Sequence, residues 1–152
     1  MPLKHELDFV QKYVEIERTR FGDRLQVELD IPPETLDAAV PNMILQPLVE
    51  NAIRHGIARK VGGGRVDIIA SRENGELHLV VRDTGPGLSE SKQGLSKGVG
   101  LANTRSRLEH LFGERHRLGF SEPPGGGLAV KIVIPFTLDP KSHSDSDMES
   151  VA

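Results

Sequence analysis

Four groups of residues in this chain have the types and spacing that nucleotide and metal chemistry needs. The first is Glu50-Asn51-Ala52-Ile53-Arg54-His55. On a helix these side chains fall within about one and a half turns, and Glu50/Arg54 and Asn51/His55 are each four apart, so each pair shares a face. One reading is a solvated face carrying a Glu–Arg ion pair. The other gives Mg²⁺ an oxygen from Asn51 and gives phosphate two cations, Arg54 and His55. Magnesium takes few protein ligands and leans on phosphate oxygens, so one amide suffices. The second group is Asp83, which continues the strand face of Leu77, Leu79 and Val81. A carboxylate in register with core residues must be paired or hydrogen-bonded, because a lone buried charge is very costly. Alternatively the strand has already ended and Asp83 caps a turn. The third is Asp83-Thr84-Gly85-Pro86-Gly87, where two glycines allow close approach to a flat ligand or form an ordinary turn. The fourth is Gly98-Val99-Gly100-Leu101 at the start of a helix, whose unpaired N–H groups favour anions. It is not a Walker loop, since no Lys-Ser/Thr follows, and it lacks the Rossmann spacing.

These groups need elements to hold them. Helical spacing predicts a helix over 3–21, with Leu3, Leu7, Val10, Val14 and Phe21 on one stripe and Phe9, Tyr13 and Ile16 on a second. Either the whole face packs on the core, or part of it meets a partner helix. Leu25, Val27, Leu29 and Ile31 alternate with polar residues as a half-buried strand, ended by Pro32-Pro33. A second helix is predicted over 42–57, with Leu45, Leu48, Val49, Ala52 and Ile53 inward. Pro47 is awkward there, since a mid-helix proline costs about 3 kcal/mol; it sits in the first turn or bends the helix. Strands over 65–71 and 76–83 flank Glu73-Asn74-Gly75, a hairpin signal. Residues 84–98 are rich in Gly, Ser and Lys, lack periodicity and read as a mobile loop. A helix over 99–112 follows, with Leu101, Leu108, Leu111 and Phe112 apolar. Strands over 117–121 and 127–135 surround a Pro-Pro-Gly-Gly-Gly turn. Past Phe136 the chain turns Ser/Asp-rich and is expected to be disordered. Hairpin-joined strands with helices between the groups imply an α+β two-layer sandwich.

The 152 residues suit one domain with its own core. The net charge of -3 matches the surplus of the tail, where Asp139, Asp145, Asp147 and Glu149 oppose Lys141. The near-neutral remainder offers no basic surface to nucleic acid. Absence of cysteine excludes disulfides and thiolate metal sites, and fits a reducing compartment. No apolar run nears the ~20 residues of a membrane span, and no signal peptide is visible; an anchor upstream of Met1 is compatible with both.

In combination the groups resemble a known family. Pro47-Leu48-Val49-Glu50-Asn51-Ala52-Ile53-Arg54-His55-Gly56 resembles the N box of the histidine-kinase, gyrase and Hsp90 type of ATPase domain. Asp83-Thr84-Gly85-Pro86-Gly87-Leu88 resembles its first glycine box, and Gly98-Val99-Gly100-Leu101 its second. Leu45-Gln46-Pro47-Leu48-Val49-Glu50-Asn51 is similar to the sensor-kinase branch typified by the LytS autolysin regulator, as are Tyr13-Val14-Glu15-Ile16-Glu17 and Arg20-Phe21-Gly22-Asp23. The resemblance covers about residues 2–136. It implies a Bergerat-type sandwich, with a mixed, mostly antiparallel sheet, helices on one face, and ATP between helix and sheet. By the same resemblance Asn51 binds Mg²⁺, Arg54 and His55 lie at the phosphates, and Asp83 accepts the adenine amino group. Gly85 and Gly87 flank the base, Gly98 to Leu101 line the phosphates, and 86–97 is the lid. It also divides the chain into a linker-end helix (1–22), the ATP-binding domain (23–137) and an acidic tail (138–152). Two departures stand out. Pro47 occupies the position, four before Asn51, where many relatives have an acid or asparagine, which leaves Glu50 as general base by default. The threonine common near the last glycine box is missing, since Leu128 and Ala129 follow Gly127.

The implied activity is donation of the γ-phosphoryl group of ATP to a histidine, in which positioning and charge stabilisation dominate. His5-Glu6-Leu7 lacks the Arg-Thr-Pro that follows an acceptor histidine in many kinases, so the acceptor is expected upstream and the fragment alone is not expected to label itself. His78, His110, His116 and His143 read as surface or tail residues. The resemblance further implies a response regulator, a homodimer in the full-length kinase, and a place on the cytoplasmic side of a membrane-anchored protein. A catalytically silent nucleotide- or partner-binding module is the alternative, favoured by Pro47 and the missing threonine. A serine-phosphorylating anti-sigma kinase is disfavoured, since its relatives lack the Tyr13–Asp23 segment.

Overall fold

Leu25–Asp30 (β1), Gly64–Glu73 (β2), Glu76–Asp83 (β3), Arg117–Ser121 (β4) and Leu128–Pro135 (β5) form one sheet in a computed structural model that describes residues 1–57, 63–84, 99–124 and 126–139. The strand order is β1-β2-β3-β5-β4. β1 runs parallel to β2, and every other pairing is antiparallel. Asn74 (φ 52°) and Gly75 (φ 76°) turn the chain between β2 and β3. Two successive positive φ values match the right-handed twist of the flanking strands, hence the Asn-Gly pair.

Alternation along the strands separates two faces. Val66, Ile68 and Ala70 of β2, Leu77, Leu79 and Val81 of β3, and Leu128, Val130, Ile132 and Ile134 of β5 are buried together in one hydrophobic core. The helices close that core. Leu3–Phe21 (α1) contributes its first apolar stripe, Leu3, Leu7, Val10, Val14 and Phe21. Gln46–Asn51 (α2) contributes Leu48 and Val49, and Val99–Phe112 (α3) contributes Leu108. Burying each such side chain contributes about 1.5–3 kcal/mol. The second stripe of α1 is split: Tyr13 packs against the core, while Phe9 is 47% and Ile16 66% exposed. Among the described residues no helix is long and apolar enough to cross a membrane.

Several expectations shift. The second helix starts at Gln46 rather than 42, because residues before it turn through Met43, whose φ is 61°. Pro47 therefore lies in the first turn, where a missing N–H costs nothing. His78 is not a surface residue. It is 8% exposed, between Glu73 and Glu76, whose carboxylates lie 3.7 and 3.9 Å from Nε2. Leu111 faces out, 48% exposed. Leu138 and Asp139, which composition placed in the disordered tail, are held: Asp139 N–H donates to Asp37 O at 2.9 Å, and Leu138 bridges Ala38. Residues 140–152 and the expected mobile loop and lid, 85–98, lie outside the described residues.

Candidate nucleotide site

β3 runs through Asp83 instead of ending before it. Asp83 pairs with Val66 on one side and Leu128 on the other, and is 4% exposed. A carboxylate thus ends a row of buried aliphatic side chains, in the middle strand of five. Thr84 fixes the strand end: its N–H donates to Arg65 O at 3.2 Å, while its hydroxyl accepts from Arg65 N–H at 3.0 Å. Gly127, just before β5, lies against the same point. Its φ is +92°, and a Cβ there would stand 1.9 Å from Asp83 O. Only glycine fits, so the backbones at Asp83 and Gly127 touch directly.

The second half of the candidate site is α2. Its last residue, Asn51, is half-buried, and the chain then widens into a π-helical turn over Ala52–Ile57. Such turns are rare and recur at functional sites. Ala52 and Ile53 are buried on the sheet side, where this turn meets β2 and β3, while Arg54 is exposed. Glu50 is half-buried and accepts from Gln46 Nε2 at 3.1 Å. Burial raises the Tyr13 phenol above its ordinary pKa, and the charges of Glu17 and Glu50 push the same way. Glu50 therefore acts electrostatically on α1, and Arg54 opposes it there.

Sequence reasoning missed what starts α2. No side chain of its own caps the helix. Glu6, on α1, does so from 0% exposure. Glu6 Oε1 accepts from Leu45 N–H at 2.9 Å and Gln46 N–H at 3.2 Å, and Oε2 accepts from Met43 N–H at 3.2 Å. The signal was present: Glu6 lies within the stripe of Leu3, Leu7 and Val10, and a carboxylate there needs a partner. Arg107 of α3 donates to the carbonyl of Met43 at 3.1 Å, so α1 and α3 grip the same turn.

The described structure thus gives Asp83 and Asn51 places on the core side of one sheet, on β3 and on the helix above it. Gly85, Gly87 and Gly98 lie outside the described residues, as do the side chains of His55, Val99 and Leu101. Two other clefts, about 230 Å³ beside Asp67 and Arg82 and about 350 Å³ between α1 and β1, include neither Asn51 nor Asp83.

Residues 37–138 match the family described as histidine kinase-, DNA gyrase B- and HSP90-like ATPase. The chain belongs to that family. Relatives of this ATPase domain include a putative uncharacterized protein, YwpD, of Bacillus subtilis, 38% identical over 95% of the chain and 54% of that protein. The sensor histidine kinase YpdA of Escherichia coli is 36% identical over 88% of the chain and 24% of its own length. The sensor protein LytS of Bacillus anthracis is 33% identical over 89% and 25%. The domain therefore spans between about a quarter and about half of these relatives. The catalytic domain of histidine kinase ThkA superposes with a TM-score of 0.69 at 17% identity, covering 91% of this chain and 97% of that one. The mycobacterial kinase MprB gives 0.68 at 19%, over 91% and 97%. The fold of this ATPase domain is thus the Bergerat-type sandwich, and its family is one of ATP-binding modules, as the motifs implied.

Proposed function

We propose that this domain binds Mg²⁺-ATP between α2 and the sheet and donates the γ-phosphoryl group to a histidine on a separate segment of the same sensor kinase. The observation that carries the reading is Asp83: a carboxylate 4% exposed at the end of an apolar row, beside a glycine that admits no side chain. Such a group is suited to accept from an exocyclic amine, here the adenine N6. Asn51 fits magnesium by its donor chemistry, one amide oxygen on a half-buried helix face, with the phosphates supplying the other oxygens. When bound, the ion neutralises charge on the β- and γ-phosphates. In this reading Arg54 and His55 supply cations to the phosphates, Gly98, Val99, Gly100 and Leu101 supply backbone N–H groups to them, and Gly85 and Gly87 serve the base. An imidazole nitrogen attacks the γ-phosphorus, the bond to the β–γ bridging oxygen breaks, and ADP leaves. Glu50 takes the imidazole proton.

The sensor-kinase relatives support a two-component setting with a response regulator as the next acceptor; the proposal adds a homodimer in the full-length kinase and a place for this domain on the cytoplasmic side of an anchored protein. A silent nucleotide-binding module is the second reading, favoured because Pro47, which has neither acid nor amide, stands four residues before Asn51. Labelled ATP separates the two. The domain alone should bind ATP and gain no acid-labile phosphohistidine; adding the upstream segment, in cis or as a second polypeptide, should give label on that segment. Tight ATP binding with no transfer to the restored chain would establish the silent module.

A further inference from the structure

We propose that Glu6 is a positioning residue for the magnesium and phosphate side of the nucleotide site, acting through the turn that starts α2. The inference rests on the reading of Asn51 as the magnesium ligand. Glu6 is wholly buried, and its two oxygens take the N–H groups of Met43, Leu45 and Gln46. These are donors that a helix start leaves without intrahelical partners. Pro47 has no N–H to offer, and Val49 N–H donates to Leu45 O at 3.0 Å. The start of α2 is therefore held by a side chain of α1 and by none of its own. The turn it holds is not one the chain adopts unaided. Met43 has φ 61°, a conformation disfavoured for a residue with a Cβ, so surrounding contacts must impose it. Glu6 grips its N–H and Arg107 grips its carbonyl.

Asn51 lies five residues beyond Gln46, about 7.5 Å along a helix axis. A change in the direction of the first turn therefore reaches Asn51 as a displacement of its amide. Asp83 is held by other bonds. Its strand is held by β2, by β5 and by the Thr84–Arg65 bonds, none of which involves α2. Loss of Glu6 should thus affect the two halves of the ligand unequally: the magnesium and phosphate half weakens, while the adenine half does not. A merely structural carboxylate would weaken both alike, in proportion to lost folding.

The test measures affinity by calorimetry for Mg²⁺-ATP, and for adenosine by displacement, on the full 152-residue chain as wild type, Glu6→Gln and Asn51→Ala. Thermal unfolding is followed in parallel. Residues that orient a metal ligand typically change affinity about 10- to 100-fold, so Glu6→Gln should weaken Mg²⁺-ATP by about tenfold or more and leave adenosine unchanged. Asn51→Ala should show the same split. If Asn51→Ala splits the affinities and Glu6→Gln does not, the proposal is wrong and the magnesium reading stands. If Asn51→Ala leaves Mg²⁺-ATP affinity at the wild-type value, the magnesium reading fails and takes the proposal with it. Equal weakening of both ligands by Glu6→Gln also overturns it. Should Glu6→Gln not fold, Arg107→Leu removes the other grip on Met43 from a half-buried position outside the core; it should give a smaller split of the same sign, and no split overturns the proposal.

Discussion

Replacing Gly127 by alanine tests whether the contact between β5 and Asp83 builds the site. Two costs add. The first is conformational: φ of +92° is disfavoured for any residue with a Cβ, about 1–3 kcal/mol. The second is steric. The new Cβ would lie 1.9 Å from Asp83 O, 2.9 Å from Asp83 C and 3.1 Å from Thr84 Cα, against an ordinary contact of 3.4 Å or more. A gap of about 1.5 Å must open, where Leu128 pairs with Asp83 and close packing leaves no slack. Gly126 supplies the control. Its φ is +98°, yet nothing among the described residues lies within 4 Å of a Cβ there. Gly126→Ala therefore carries the conformational cost alone. In a domain of this size each kcal/mol lowers Tm by about 2–4 °C. Gly126→Ala should lose roughly 2–12 °C and keep wild-type ATP affinity. Gly127→Ala should melt below it and bind ATP more weakly, because the Asp83 end of β3 has moved. Scanning calorimetry and ATP titration of both variants decide the matter. If Gly127→Ala equals Gly126→Ala in Tm and affinity, the close approach has no bearing on the site.

Other perturbations have equally definite outcomes. Burial raises the Tyr13 pKa, so the folded state holds that proton more tightly than the unfolded chain. Its contribution is complete below the ordinary phenol value of 10.0 and is lost as pH rises through the higher folded pKa. Urea titrations above pH 10 should therefore show stability falling less steeply in Tyr13→Phe than in wild type, and identical slopes would refute the assignment. Leu48, 2% exposed where α2 meets the core, should cost about 2–5 kcal/mol as Leu48→Ala; a urea midpoint unchanged from wild type would contradict its burial. Arg82→Leu leaves Asp67, 8% exposed, with Arg65 as its remaining ion pair, at 3.1 Å. Because removing one partner exposes the penalty of a buried charge, unfolding should shift measurably to lower urea, and more so than in Arg82→Lys.

Much of this was readable from periodicity. Alternation located β1 and β3, and Asn74-Gly75 located the hairpin, because these signals are local. The Asp83 face was also legible, since a period of two carries a carboxylate onto the core side without knowledge of the sheet. Less legible were features made by distant partners. The start of α2 depends on Glu6, about forty residues away, so the local pattern placed it too early. The burial of His78 arises from Glu73 and Glu76 across the hairpin turn and from the neighbouring strands, while its own sequence context reads as exposed. Leu138 and Asp139 are held by backbone bonds to Asp37 and Ala38, which no composition of the tail announces. The magnesium and phosphate residues came from motif order, and their roles remain the proposal made above.

The most direct test of the nucleotide site is calorimetric titration of Mg²⁺-ATP into wild type and Asp83→Asn. An asparagine amide presents its own N–H₂ where the adenine amino group needs an acceptor. An unmet buried hydrogen bond costs about 1–3 kcal/mol, which weakens binding about 5- to 150-fold. The site described here predicts that loss, with the unfolding midpoint of the unliganded variant showing that it still folds. Equal ATP affinities for the folded wild type and variant would remove Asp83 from the site and contradict the account.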